Sequence, residues 1–159
     1  MTVVFEPPVR GTRQLSHKHL LDEVFWERLI NRITSNHPDI ERDLAEMILN
    51  ETLAFLLLAA VAKGCYSPSP KVDIGWHEFM LYTKEYAAFC QEHAGEFIHH
   101  EPFDIPGVDY GDLLQAPLVT LAAMERHGIA VDFPELWTVG AADCCQASKW
   151  CCIPKKECG

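Results

Sequence analysis

The sequence predicts an all-α protein, a small helical bundle of about four helices with an irregular N-terminal arm and a Cys-rich C-terminal tail. Three observations predict it. Apolar residues recur at helical spacing through long segments. No run alternates cleanly between apolar and polar, as a half-buried strand would. Pro, Gly and Ser cluster between the periodic segments, where helices stop. The chain's 159 residues suit one domain. With 48% apolar and 23% charged residues it is ordinary globular material. The expected division is an arm over 1–19, a helical domain over 20–139 and the tail over 140–159.

The arm carries Pro7, Pro8 and Gly11 and shows no period. A first helix fits 20–33, with Leu21, Val24, Phe25, Leu29 and Ile33 on one stripe. Pro38, followed by Asp39 and Glu41, is a good start for a second helix over 38–63, since Pro loses no needed donor and carboxylates favour the positive end of the helix dipole. Its stripe is Ile40, Leu44, Met47, Ile48, Phe55 and Leu58, and past Leu53 it is apolar all round, which marks a central, buried element. Asp43, Glu46 and Glu51 read as its solvated face. Lys63-Gly64 is a stop signal.

The turn-rich Ser67-Pro68-Ser69-Pro70 leads to a third helix over 73–94, with Asp73 as cap or first-turn residue and Gly95 at its end. Trp76, Phe79, Thr83, Tyr86 and Cys90 make its core face. Cys90 on that stripe reads as a buried, inert thiol. Residues 97–112, with Pro102, Pro106, Gly107 and Gly111, read as loop. A fourth helix fits 112–126, its start delayed by Pro117 and its end marked by His127-Gly128. Residues 131–137 add an apolar patch with one turn after Pro134.

The formal net charge is −10. Between residues 72 and 112 nine carboxylates face one base, Lys84. Nucleic acid needs clustered Lys and Arg, so it is excluded as the main partner of this region. An acidic face suits metal cations, a basic protein partner or plain solubility. The N-terminus has no secretory h-region, and the longest apolar run, ten residues over 53–62, falls short of the ~20 that span a bilayer. The expectation is a soluble, cytoplasmic protein with no membrane partner and with its seven cysteines mostly reduced.

The most distinctive stretch is Val72-Asp73-Ile74-Gly75-Trp76-His77-Glu78-Phe79-Met80, followed by Tyr86, Phe89-Cys90 and Ile98-His99-His100-Glu101-Pro102. Over 72–102 it resembles the glycine-rich-domain-protein-like family, which has an Asp shortly before Trp-His, then Tyr and Phe-Cys on one helix, then a His-containing loop. The resemblance implies an all-helical domain. Two features depart from it. Plant members often show His-x-His after the Trp, where this chain has Phe79, and the family's Gly-rich tail is replaced by a Cys-rich one.

Beside the resemblance stands the chemistry. Asp73 and His77 are four apart and project from one helix face. His99 and His100 follow within a short loop, and one of them can fold back to give a carboxylate plus two-His set for Zn²⁺ or Fe²⁺. The structural alternative is equally concrete: Asp73 caps the helix, His77 beside Trp76 fastens the loop, and His99 and His100 lie at the surface. Glu96 and His99 match the Glu-x-x-His of di-iron bundles, but that spacing works only on a helix, and Gly95 and Pro102 flank it.

The tail holds Cys144, Cys145, Cys151, Cys152 and Cys158, repeating at seven, among Lys149, Lys155 and Lys156. Nearby positive charge favours thiolate, and dense thiolates suit Zn²⁺ or Cu⁺. The spacing is not that of paired Cys-x-x-Cys knuckles; disulfides or a passive tail remain alternatives. Residues 139–142 resemble a hinge. No nucleophile elbow, P-loop or dinucleotide fingerprint supports a named reaction. Two functions therefore compete: a metal-binding protein with a domain site and tail thiolates, or a non-enzymatic interaction module whose acidic face or tail binds a protein partner.

Overall fold

A computed structural model describes residues 13–62, 64, 66–102, 106–107 and 116–137; for residue 116 and for 144–147 it describes the backbone alone. Among the described residues there are five α-helices, α1 (Glu23–Asn36), α2 (Arg42–Val61), α3 (Pro70–Met80), α4 (Thr83–Ala94) and α5 (Ala116–Arg126), with 3-10 turns at Lys18–Leu20 and Pro134–Leu136. A two-stranded antiparallel ribbon joins β1 (His99–Pro102) to β2 (Cys144–Ala147). The protein is mostly helical, as expected, but with one more helix and with a short ribbon in the segment expected to be loop.

Helix α2 is the axis of the fold. It packs against α1, α3, α4 and α5, and Leu49, Leu53, Phe55, Leu56 and Leu58 along it are fully buried. By length and composition it is apolar enough to cross a membrane, yet two-thirds of its most apolar window is buried inside the fold. It begins at Arg42 rather than Pro38, because residues 38 and 39 form a turn first.

Helix α1 starts where Asp22 accepts the Phe25 N–H at 2.8 Å, satisfying one of the orphan donors of the first turn. Its buried stripe is Phe25, Trp26, Leu29, Ile30 and Ile33. Val24, expected on that stripe, is 73% exposed. Trp26 and Ile30 join the expected Phe25, Leu29 and Ile33 in the buried stripe instead.

The expected third helix is two. α3 opens at Pro70, with the Ser69 hydroxyl accepting from the Val72 N–H, and Asp73 sits in its first turn. It stops at Met80, and α4 restarts at Thr83 after a two-residue break. No Pro or Gly marks the break. Tyr82 holds it, with its ring 5.3 Å from that of Phe25 and the Arg28 guanidinium 4.8 Å from its centroid. Thr83, expected on the core face, is exposed, while Trp76, Phe79, Tyr86, Phe89 and Cys90 lie in the core. Gly95 closes α4 in the left-handed conformation at φ 71°, where a side chain would be strained.

Two buried carboxylates lock the bundle. Glu78 accepts from Arg32 Nε at 2.7 Å and from Asn36 Nδ2 at 3.1 Å, tying α3 to the end of α1. Glu51, expected on a solvated face, is fully buried in α2. It accepts from the backbone N–H groups of Asp132 and Phe133, from Asn50 Nδ2 and from Trp137 Nε1. A buried carboxylate is tolerable when so many donors replace its water. Burial still pushes its pKa above the ordinary carboxylate value. Asp132 in turn accepts from Ser16 N–H and hydroxyl and from Asn50 Nδ2. Residues 16 and 132 are thereby fastened to one point on α2.

Candidate metal centre

Helical spacing puts Asp73 and His77 one turn apart on α3, and β1 brings His100 across to the same place. His100 Nε2 lies 3.1 Å from Asp73 Oδ1, and His77 Nε2 lies 3.3 Å from Asp73 Oδ2. The two imidazole nitrogens are 2.7 Å apart. One donor atom from each of the three residues lies within 4.8 Å of the others. With metal–ligand bonds near 2.0–2.1 Å, donors around a tetrahedral ion stand about 3.3 Å apart. The two contacts to Asp73, one to each of its oxygens, are near that separation, and the two rings stand closer than it.

The surroundings are asymmetric. Asp73 and His100 side chains are 13% and 14% exposed, but His77 is 54% exposed. One side of the triangle therefore opens to solvent. His100 is held from behind by Trp76, ring centroids 4.6 Å apart, and Trp76 packs on Phe55 of the central helix at 5.0 Å. His99 points away from the cluster. It is exposed and lies against Phe97 at 4.7 Å. The sequence left His99 and His100 as equal candidates; the alternation of β1 separates them.

A buried pin fixes β1 beside α3. Tyr86 of α4 accepts from Trp76 Nε1 at 2.9 Å and donates to the Ile98 carbonyl at 2.5 Å. Burial pushes the phenol well above its ordinary pKa, as it does the Cys90 thiol, so both stay neutral. Neutral, buried Cys90 is inert, as expected from its place on the core stripe. Tyr86 is the residue that pattern reading missed as part of the site's scaffold. Its signal was present in the sequence, because an aromatic hydroxyl on a core stripe must find a partner.

Glu96 lies beyond the end of α4, so the Glu-x-x-His spacing with His99 has no helix to act on. Of the tail cysteines, Cys144 and Cys145 are described by their backbone, paired with Pro102 and Glu101. Cys151, Cys152 and Cys158, and the hinge expected at 139–142, lie outside the described residues.

A family model, UCP032817-like, matches residues 16–107, more than half of the chain. The chain belongs to the UCP032817-like family. Asp73, His77, His100, Tyr86 and Glu51 all fall inside the matched segment, whereas α5, Asp132 and β2 follow it. No curated protein and no solved structure matches the chain.

Proposed function

We propose that this protein binds a divalent transition-metal ion, zinc or ferrous iron, through Asp73, His77 and His100. The observation that carries the reading is the convergence of one carboxylate and two imidazole nitrogens from two separate elements, closed to water on one side and open on the other. Two imidazoles and a carboxylate are the donor set of both catalytic zinc sites and non-haem iron sites. An ion held by three protein donors keeps a position for water, whose pKa it lowers towards about 7. The reading commits to binding and leaves the reaction open. The thiols of the tail belong with a reducing cytoplasm, and the Trp-His, Tyr and Phe-Cys motif supports kinship with the glycine-rich-domain-protein-like family.

A second reading rests on the same atoms. The 2.7 Å approach of the two rings also suits one shared proton, with Asp73 as the counter-charge. The triad would then be a latch between α3 and β1 in an interaction module. Elemental analysis of protein purified without a metal-affinity tag separates the two. About one equivalent of zinc or iron, lost in His77→Ala, supports the metal centre. Folded, metal-free protein that takes up no added Zn²⁺ overturns it and leaves the latch.

A further inference from the structure

We propose that β2 is a clasp on the metal centre: its backbone pairing with β1 holds His100 in place, so that docking of residues 144–147 and occupancy of the Asp73/His77/His100 site strengthen each other. The proposal rests on reading that cluster as a metal centre. The observation that carries it is the register of the ribbon. His100 pairs with Gln146, inside a short strand whose sheet partner among the described residues is β2. Asp73 and His77 ride on α3, whose backbone bonds are internal to the helix. His100 has no such support. The backbone donors and acceptors of a strand are met by its neighbour, and here the neighbour is a segment close to the C-terminus.

Two anchors hold β1 from the helical side. Tyr86 donates to the Ile98 carbonyl, just ahead of the strand. The His100 ring lies 4.6 Å from Trp76 and 4.5 Å from His77. The main chain of the strand itself takes its pairing from β2. A two-stranded ribbon on its own is marginal in water, so the pairing alone secures neither strand.

An ion and β2 therefore act on the same residue from opposite ends. The ion restrains the imidazole through Nε2, and β2 restrains the backbone that carries it. Order supplied by one need not be supplied again when the other arrives. Such coupling is reciprocal: the factor that β2 adds to metal affinity is the factor that the metal adds to β2 docking. The ion also offsets part of the entropy lost in closing the loop between Pro102 and Cys144. Through β2 it governs how firmly the C-terminal end of the chain is attached to the helical domain.

The test is Zn²⁺ titration and amide hydrogen exchange on the full chain. Cys144→Ser, Cys145→Ser, Cys151→Ser, Cys152→Ser and Cys158→Ser together form the parent, which removes tail thiolates as rival ligands. Adding Gln146→Pro, with Cys145→Pro in place of Cys145→Ser, breaks the pairing. Successive N–H groups of a strand point to opposite edges, so one of the two prolines necessarily falls on the ladder side. The parent is expected to bind Zn²⁺, and Zn²⁺ to slow exchange over 144–147 by about tenfold. The double-proline chain should bind about tenfold more weakly, with its helical far-ultraviolet dichroism unchanged. Equal affinity in the two chains overturns the clasp and leaves the three-residue centre intact. Exchange over 144–147 that ignores Zn²⁺, or that slows equally when His77→Ala is added to the parent, overturns it as well, with no proline in the chain. A parent that binds no Zn²⁺ overturns the centre and the clasp with it.

Discussion

Two single positions show what the α2–α3 interface and the centre of α2 tolerate. A Cβ on Gly75 would collide with the Thr52 hydroxyl and press on Ile48. That hydroxyl is already committed to the Ile48 and Val72 carbonyls, so it cannot simply swing aside. Gly75→Ala is expected to cost about 1–3 kcal/mol in denaturant unfolding, and Gly75→Ala with Thr52→Ala less than the sum of the singles. Glu51 gives a prediction in pH. Burial raises its folded pKa above the ordinary 4.5, so its favourable contribution is complete below that value and is lost as pH rises through the folded pKa. Unfolding free energies of wild type and Glu51→Gln, measured without metal across mild acid, should converge or cross in wild type's favour on acidification. A flat difference would contradict the assignment. Nothing local in the sequence marks Glu51 as buried. Its partners Asp132, Phe133 and Trp137 lie more than 80 residues away, and helical periodicity carries no information across that distance.

Helices and strands test the pin between α4 and β1. Tyr86→Phe removes both the acceptor for Trp76 and the donor to Ile98, at a cost of about 1–2 kcal/mol. It leaves every candidate ligand in place, yet Zn²⁺ affinity should fall by roughly tenfold because β1 is less firmly held. Unchanged affinity would mean that β1 does not depend on the pin. The same phenol shapes alkaline stability. Its folded pKa lies above the ordinary 10.0, so wild type loses stability as pH climbs past that value, and Tyr86→Phe should lose less over the same range. Helix existence was legible because α1 buries one stripe at helical spacing and α2 is a long apolar run buried on nearly every side. The break between α3 and α4 was not. It depends on Tyr82 meeting Phe25 and Arg28 of another helix, and such a contact has no local signature. Asp73 and His77 were legible through their spacing on one helix; choosing His100 over His99 required the register of β1.

An ion at the proposed centre would couple binding to folding across the domain. If the centre takes zinc, an ion at a hundredfold excess over its Kd stabilises the folded state by about 2.7 kcal/mol. The melting temperature of the full chain should rise with added Zn²⁺ and return with chelator, and His77→Ala should not respond. A rise of equal size in His77→Ala would move the ion away from the cluster. The clasp of Ser16 and Asp132 on Asn50 spans 116 residues of sequence. Contacts of that separation close late, after the loop entropy between them has been met. During synthesis, then, α2 exists before its cover does: an apolar rod with an unsheltered Glu51 emerges from the ribosome well ahead of Trp137. That interval leaves the apolar rod uncovered, and the late-arriving residues that cap Glu51 are what end it.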